Sequence, residues 1–451
     1  MTSADTEDDA MHRSGWLRFP GSEPRPLRLG VEAQLDGRAV IGRLSRDLPP
    51  VAADLLEIAA MAYAADRLVS RPSEREWSDG SGWGRQLWLQ VPVRNPSLWN
   101  SVADQLTSLL GWLTDDEWTL DFSQLAHGAG PLDNQQGFLF NTVPHDSPLA
   151  LFSGGLDSAL GLGRDLRSSD AVVVSVHTNN RMKAAQRRVV QALAGATSTS
   201  CVQLQYRISL REPERENSQR TRGLLFLATG ITTAWTLGQD RLRVFENGIG
   251  AINLPYLRSQ EGPQATRSMH PRTLQMAEGL ASAVSGRPFQ VEAPYLLWTK
   301  AEAVRAVPEI SASVIAGAVS CDTAFAARVP GPAQCGTCTS CLLRRQALIA
   351  GGRSDADDLT RYRTRSPAGT RSLAAMTWQL ERLRDCLNTT DQWQGLVSEF
   401  PPIMDVERIA PAQLTRLYGA YVREWEAVDL ASFRLSGDRS AALCEAKSDQ
   451  S

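Results

Sequence analysis

Apolar residues in the first third of the chain follow two spacings, one typical of helices and one typical of strands. Residues 54–69 carry apolar side chains on a helical repeat, and residues 86–93 alternate apolar and polar positions as a half-buried strand does. The same reasoning predicts a helix over 98–113 and a strand over 118–122. Residues 14–145 are therefore expected to form a small α+β module. Its many tryptophans are explained by core filling, with a partner-binding surface as the alternative.

The pattern changes after Pro148, where short apolar runs alternate with helical repeats. Strands are predicted at 149–152, 171–176, 201–206 and 242–245. Helices are predicted from Ala159 onward, at 182–193 and at 221–237. Repeated units of this kind predict an α/β fold, with a parallel sheet covered by helices on both faces. Ligands of such sheets bind where the strands end. The polar stretches 153–158, 177–181 and 246–248 each follow a strand and are expected to meet there.

The last third of the chain is more polar and carries two amphipathic repeats. Residues 353–370 are expected to form a linker, and residues 371–435 a helical extension that docks on the body of the protein or on a partner. Residues 1–13 and 436–451 are expected to be disordered tails. The central domain is expected to span 146–352.

Composition narrows the class of protein without deciding its function. The 451 residues are 42% hydrophobic and 22% charged, as in soluble globular proteins. A net charge of −3 gives no reason to expect nucleic-acid binding. No apolar run of about 18 residues is present, so no membrane span is expected. The acidic start of the chain does not resemble a signal peptide, and a cytoplasmic location is expected.

The strongest local signal is the string Ser153-Gly154-Gly155-Leu156-Asp157-Ser158, which lies between a predicted strand and a predicted helix. Glycines let the backbone approach an anion closely, and amides at a helix N-terminus attract negative charge. The Walker Gly-Lys-Ser/Thr signature is absent from the string. The string predicts nucleotide phosphate binding, and a glycine turn followed by a capped helix is the alternative.

The second signal is a group of four cysteines with metal-site spacing. Thirteen residues separate Cys321 from Cys335. Two residues separate Cys335 from Cys338, and two separate Cys338 from Cys341. Four thiolates suit tetrahedral Zn²⁺, and a site closed by four cysteines is structural because no position is left for water. A redox-active Cys-x-x-Cys pair is the alternative. Clustered cysteines of this kind favour a reducing compartment over a disulfide scaffold.

Together these motifs resemble the QueC family, the 7-cyano-7-deazaguanine synthases of queuosine biosynthesis. The resemblance covers residues 148–350. Residues 222–227 are similar to the family's Arg-Asn-Leu-Leu-Phe-Leu helix, and residues 293–302 to its Thr-Pro-Leu-Met-Trp-Leu-Asn-Lys-Ala-Glu element. The resemblance implies the fold of the PP-loop ATPases, the adenine nucleotide alpha hydrolase-like proteins, with a zinc knuckle.

The resemblance also implies a reaction, in which ATP adenylates the carboxylate of 7-carboxy-7-deazaguanine and an amine displaces AMP. Expected cofactors are ATP, Mg²⁺ and Zn²⁺. Asp157, Ser158, Lys300 and Arg222 are expected to be catalytic, with a solvated helix-start lysine as the alternative for Lys300. Nucleotide binding is assigned to Ser153, Gly154, Gly155, Asp157, Ser158, His177 and Arg181.

The region after the fourth strand departs from the short housekeeping enzymes of the family. Glu246, Asn247, Gly248, Arg267 and His270 are expected to contact the substrate, and loop-structuring roles are the alternative. His270 precedes Pro271 and could instead cap a helix. This region and the added segments resemble QueC-like proteins of anti-phage loci, namely those of the Qat type and of type IV CBASS.

The leading hypothesis is therefore an ATP-dependent, AMP-forming C–N ligase. Its expected amine is the N-terminus of a co-encoded partner protein in an anti-phage defence system. The first alternative is a 7-cyano-7-deazaguanine synthase that uses ammonia. The second is a catalytically silent nucleotide-binding scaffold. Sulfur transfer is less favoured, because only Cys201 lies near the loop in the predicted topology.

Overall fold

The computed structural model describes residues 15–44, 48–72, 83–125, 130, 132–133, 143–256, 266–324 and 331–428. The two tails predicted from the sequence, 1–13 and 436–451, lie outside the described residues. The strands are β1 (Gly15–Arg18), β2 (Arg25–Leu27), β3 (Ala33–Asp36), β4 (Gln86–Val93), β5 (Glu117–Gln124), β6 (Leu149–Leu151), β7 (Ala171–His177), β8 (Cys201–Leu210), β9 (Arg241–Val244) and β10 (Gln290–Glu292).

The helices cover the sheets and form the C-terminal part of the described chain. They are α1 (Arg38–Leu44), α2 (Pro50–Leu68), α3 (Pro96–Ser101), α4 (Ala103–Thr114), α5 (Leu156–Asp165), α6 (Asn180–Ala194), α7 (Arg222–Leu237), α8 (Gly248–Ile252), α9 (Pro271–Ser285), α10 (Lys300–Arg305), α11 (Ala312–Gly317), α12 (Thr339–Ala350), α13 (Arg371–Leu387), α14 (Gln392–Glu399) and α15 (Pro411–Glu426). Short 3₁₀ helices occupy Ser354–Ala356, Leu359–Arg361 and Pro401–Asp405. No helix in the described ranges is long and apolar enough to cross a membrane.

The larger sheet has six strands in the order β10-β9-β6-β7-β8-β3. All of its pairings are parallel except that of β3 with β8, which is antiparallel. Its strands are apolar on both faces because helices cover both: Val172 and Val174 pack into one hydrophobic cluster and Val173 into another. The predicted α/β fold with a parallel sheet flanked by helices is confirmed. The loop that follows the central strand β6 lies at the edge where ligands of such sheets bind.

The front part of the chain shares its core with this sheet. Its own sheet has the order β2-β1-β4-β5, but β3 pairs with β8 of the larger sheet. Helix α2 packs against α7, and one continuous cluster of buried apolar residues includes side chains from both sides of residue 146. The domain boundary predicted at this position therefore does not coincide with a break in the core.

Three local predictions differ from the structure. The helix predicted over 98–113 is two helices, because Val102 takes a non-helical conformation between α3 and α4. The linker predicted at 353–370 contains two 3₁₀ turns, and its Tyr362 is buried against the cysteine cluster. Helix α14 was not predicted, although Asp391 accepts a hydrogen bond from the Gln394 amide at its start.

Candidate functional site

The glycine-containing loop forms a tight turn between β6 and α5. Gly154 has φ +84°, a conformation that favours glycine. The Ser153 hydroxyl accepts a hydrogen bond from the Gly155 amide at 3.2 Å and lies 3.2 Å from the Ser158 hydroxyl. The Ser158 hydroxyl also donates to the Gly155 carbonyl at 3.0 Å. The loop therefore presents two hydroxyls at the start of α5, where the helix dipole favours an anion.

Residues from distant parts of the chain fix the shape of this loop. The Val319 amide donates to the Gly154 carbonyl at 2.9 Å, and the Leu156 amide donates to the Ser320 hydroxyl at 3.2 Å. On the other side, the Gln186 side-chain amide donates to the Ser153 carbonyl at 3.3 Å and to the Val176 carbonyl at 3.0 Å. The loop is thus supported by the segment that leads into Cys321 and by α6.

Three ionisable side chains meet next to the loop. Lys300, the first residue of α10, forms a buried ion pair with Asp157. The Asn247 side-chain amide donates to the same Asp157 oxygen, Oδ2, at 3.2 Å. It also donates to Glu246 Oε1 at 3.4 Å, which brings the second carboxyl group into the cluster. Asp157 Oδ1 has no hydrogen-bond partner among the described residues.

The Glu246 carboxyl group has an unusual proton affinity. Its pKa is raised to about 8, mainly by burial and also by the nearby Asp157 carboxylate, while Lys300 opposes the change. Glu246 also lines a cavity where β6, β7 and β9 end. The other lining side chains are largely apolar and include Phe152, Val174, Val176, Phe226, Phe245 and Met269. The cavity therefore combines an apolar wall with a titratable polar group, as small-molecule sites do.

Asn247 and Gly248 shape the segment that carries Glu246. The Asn247 side chain accepts a hydrogen bond from the Gly250 amide at 3.1 Å and so caps α8. A Cβ on Gly248 would lie 2.2 Å from the Leu296 carbonyl oxygen, so this position has no room for a side chain. Both residues hold the loop in place, and Asn247 also contacts Asp157.

Arg222, the first residue of α7, contacts Phe226 and is not among the side chains that line the cavity. Its guanidinium stacks over the Phe226 ring, with 4.8 Å to the ring centroid, and Phe226 in turn lines the cavity. Burial lowers the pKa of Arg222. The group keeps its charge, because an arginine pKa starts far above neutral.

Two residues that were predicted to bind the nucleotide, His177 and Arg181, lie outside the Asp157 cluster. His177 ends β7, and burial together with Lys183 and Arg207 lowers its pKa to about 4. Arg181 lies on the exposed side of α6, where it donates to the Gly331 carbonyl at 3.5 Å. The structure therefore does not bring these two residues to Glu246 or Lys300.

Arg267 and His270 contact the front part of the chain. Arg267 pairs with Asp115 at 2.5 Å and stacks over Trp112. The ring of His270 packs against Trp112, and its Nδ1 accepts a hydrogen bond from the Arg272 amide, so it caps α9. Burial lowers the His270 pKa to about 3. It is Met269, between them, that reaches the cavity.

The four cysteines meet at one point. Their sulfur atoms lie within 4.8 Å of one another, and the pairs Cys335–Cys341 and Cys321–Cys338 are each 3.9 Å apart. Four ligands about 2.3 Å from a shared Zn²⁺ would be about 3.8 Å apart. Backbone amides donate to the sulfurs, including that of Cys335 to Cys321 at 3.2 Å, which stabilises thiolates. The spacing and the donor set fit a structural zinc ion.

Residues 267–352 match the family model described as queuosine biosynthesis protein QueC. The chain contains a QueC-like domain. The matched segment includes Lys300 and all four cysteines, whereas the loop at 153–158 and Glu246 lie before it. No curated protein matches the chain. The QueC-like match and the loop indicate an ATP-utilising enzyme of the PP-loop type, of the kind used in queuosine-type biosynthesis.

The residues of the QueC-like site fit the groups that this class of enzyme uses. The loop and the start of α5 suit the phosphates of ATP. Asp157 Oδ1, which has no hydrogen-bond partner among the described residues, offers an oxygen ligand of the kind that Mg²⁺ prefers. Cys201, by contrast, does not fit sulfur transfer, because burial raises its pKa to about 12 and keeps it a thiol at neutral pH.

Several residues of the site were not predicted from the sequence. Ser320 and Gln186 contact the loop, and Met269 and Phe226 line the cavity. Ser320 directly precedes the first cysteine, so its position next to the cysteine motif could have indicated a role in the site. The others sit in ordinary helical or loop sequence and carry no signal of their own.

Proposed function

We propose that this protein is an AMP-forming C–N ligase that adenylates a carboxylic acid and transfers the acyl group to an amine. The observation that carries the proposal is the cluster of Asp157, Glu246 and Lys300 beside the Ser153–Ser158 loop. The QueC-like match supports the same class of chemistry. A charged cluster next to a phosphate loop, with an apolar cavity beside it, suits a reaction that joins a nucleotide to a flat organic acid.

The reaction has two steps. A carboxylate oxygen attacks the α-phosphorus of ATP, the bond between the α-phosphorus and its bridging oxygen breaks, and pyrophosphate leaves. The amine then attacks the acyl carbon, the bond from that carbon to the AMP oxygen breaks, and the amine loses a proton. A carboxylate is a poor electrophile, and bonding AMP to it supplies a good leaving group.

Each group of the chain has a role in this scheme. The loop hydroxyls and the N-terminus of α5 bind the phosphates, and Lys300 neutralises charge that develops on them. Arg222, a cation that stacks on the cavity-lining Phe226, would attract the negatively charged acid. Asp157 would hold Mg²⁺, which would supply charge neutralisation for the departing pyrophosphate.

The acid in this proposal is 7-carboxy-7-deazaguanine or a close analogue. The cavity walls are apolar, as the faces of a heterocycle require, but the cavity volume is about 40 Å³, so the walls must move apart to admit the acid. An ionised Glu246 accepts hydrogen bonds from two adjacent N–H groups such as those of a guanine edge. This assignment comes from the resemblance to the QueC family and from the chemistry of Glu246.

The amine in this proposal is the N-terminus of a co-encoded partner protein in an anti-phage system, as the resemblance to the defence-associated relatives implies. The front and C-terminal segments motivated this proposal, because ammonia needs no docking surface. In the structure much of both segments contacts the core of the larger sheet and the site. The test therefore compares a protein amine with ammonia directly.

The test is to incubate the protein with ATP, Mg²⁺ and 7-carboxy-7-deazaguanine, with either ammonium or the purified neighbouring gene products. A mass increase of a partner protein by one deazaguanine acyl group supports the protein acceptor. Free 7-cyano-7-deazaguanine from ammonium assigns the synthase activity instead. ATP binding without pyrophosphate release under every condition would overturn the proposal in favour of a silent scaffold.

A further inference from the structure

The helix that begins with Lys300 is held by a capping box. The Thr299 hydroxyl accepts a hydrogen bond from the Glu302 amide at 3.0 Å, and the Glu302 carboxylate accepts one from the Thr299 amide at 2.8 Å. Such a box fixes where a helix starts and in which direction it runs. Because Lys300 is the first residue of α10, the box sets the position from which its side chain reaches Asp157.

Both members of this box are bonded to the C-terminal helix α15. The Thr299 hydroxyl donates to Glu424 Oε1 at 2.8 Å, and Arg416 Nη1 donates to Glu302 Oε1 at 2.6 Å. Glu424 also pairs with Arg305, the last residue of α10, at 2.5 Å. The Thr299 hydroxyl donates its single proton in a hydrogen bond to Glu424. Its oxygen lone pair therefore remains available to accept the hydrogen bond from the Glu302 amide that caps the helix.

The same helix contacts the other side of the charged cluster. A Cβ on Gly248 would lie 2.6 Å from Cδ2 of Leu417, so α15 packs directly on the segment that carries Glu246. Leu417 is fully buried in a cluster that also contains Ile249. Helix α15 therefore touches both elements that deliver ionisable groups to Asp157.

We infer that α15 is a positioning element of the active site, with Glu424 and Arg416 acting through the Thr299–Glu302 box to place Lys300. Helix α15 lies outside the segment that matches QueC, and the sequence pattern predicted only a docking helix. The inference rests on the proposed function for its catalytic consequence. Its structural content, that α15 controls Lys300, is measurable without turnover.

The first experiment measures the exposure of Lys300 by brief labelling with acetic anhydride and mass spectrometry. The chain has three lysines, and the exposed Lys183 serves as the internal reference. Glu424→Met removes the bond from α15 to the box, and Thr299→Val removes the cap itself together with that bond; both variants keep side-chain size. We expect Lys300 labelling to rise about fivefold relative to Lys183, which is the factor that corresponds to the free energy of one lost helix cap.

Conservative variants and a matched control separate positioning from general destabilisation. Glu424→Gln and Thr299→Ser keep a bond across the same gap and should restore labelling close to that of the wild type. Arg382→Ala breaks a comparable ion pair, with Glu399 at 2.9 Å, between α13 and α14, and should leave Lys300 unchanged. Wild-type labelling of Lys300 in folded Glu424→Met protein would overturn the inference.

The second experiment tests whether the effect on turnover passes through Lys300. Thr299→Val is combined with Lys300→Met, and kcat/KM for pyrophosphate release is measured in a double-mutant cycle. We expect Thr299→Val to lower kcat/KM about fivefold in the wild-type background, and to have no effect once Lys300 is absent. Equal losses in both backgrounds would contradict positioning through Lys300. If no acid releases pyrophosphate, the proposed function fails, while the labelling result still decides the role of α15.

Discussion

A single ammonium group, that of Lys300, lies beside two carboxyl groups at the ends of β6 and β9. The Glu246 carboxyl group has a pKa near 8, so it is mostly protonated and uncharged at pH 7. The negative charge of Asp157 and the positive charge of Lys300 then offset each other. At pH 7 the cluster of Asp157, Glu246 and Lys300 therefore carries no net charge. Bringing ATP and a metal ion to the site changes that balance.

Replacing Lys300 by methionine tests its role on the phosphates. We expect pyrophosphate release to fall about 100-fold, the usual effect of removing one preorganised group that stabilises transition-state charge. The measurement is kcat and KM for ATP at saturating acid. Lys183→Met is the matched control, because this lysine is exposed on α6. Since removing one partner of a buried ion pair costs about 3–5 kcal/mol, thermal unfolding is recorded for both variants. An unchanged kcat would contradict the assigned role.

Glu246 predicts a pH dependence of substrate binding. Its pKa is raised from 4.5 to about 8, so the carboxylate that would accept a guanine-like edge forms as the pH rises through that value. Affinity for the acid should increase between pH 7 and pH 9, and Glu246→Gln should remove the increase. Isothermal titration calorimetry with the acid checks this. An affinity that falls over the same range would mean that the protonated group binds the substrate.

At the scale of elements, the four-cysteine cluster, which we call the knuckle, and the loop at 153–158 form one connected unit. Val319 and Ser320, which precede Cys321, bond to Gly154 and Leu156. The knuckle is closed by four cysteines and has no open position for chemistry. Its contribution to function is to hold the segment that shapes the loop.

Loss of the metal should therefore weaken ATP binding as well as stability. We expect Cys341→Ser to release zinc, lower the melting temperature and weaken ATP affinity about tenfold. The reason is that the hydrogen bonds of Val319 and Ser320 to the loop at 153–158 are lost. Metal analysis and calorimetry with ATP are the measurements. Cys386→Ser, a buried cysteine remote from the cluster, is the control. Wild-type ATP affinity in the zinc-free variant would separate the knuckle from the loop.

At the scale of the whole molecule, the front segment completes the core of the larger sheet. Strand β3 covers the edge of β8, α2 covers α7, and Trp112 of α4 donates to Thr273 at 2.9 Å and packs on His270. A fragment of residues 146–451 would expose the apolar face of α7. We expect it to aggregate when expressed alone and to become soluble when residues 1–145 are co-expressed. A fragment that is stable and binds ATP alone would contradict a shared core.

The sequence predicted those parts of the molecule that depend on local patterns. The continuous apolar run of β7 and the glycine string specify a buried strand and a tight turn before a helix through neighbouring residues alone, and the cysteine spacing specifies a cluster of four sulfurs. Contacts between distant segments have no such local pattern. The bond from Glu424 to Thr299 joins residues 125 positions apart, and the pairing of β3 with β8 depends on how the front segment folds back. Arg267 and His270 both contact Trp112, which is far away in the chain and gives no local signal of this contact. Sequence reasoning therefore assigned the two residues to the substrate.

The most direct test of the account is pyrophosphate release from ATP and Mg²⁺ with 7-carboxy-7-deazaguanine, comparing the wild type with Asp157→Asn. Asp157 contacts Lys300 and Asn247 and lies in the first turn of α5, where we propose that the phosphates bind. The account predicts release that requires the acid and falls about 100-fold in the variant. Release that is independent of the acid, or equal in both proteins, would contradict carboxylate activation at this site.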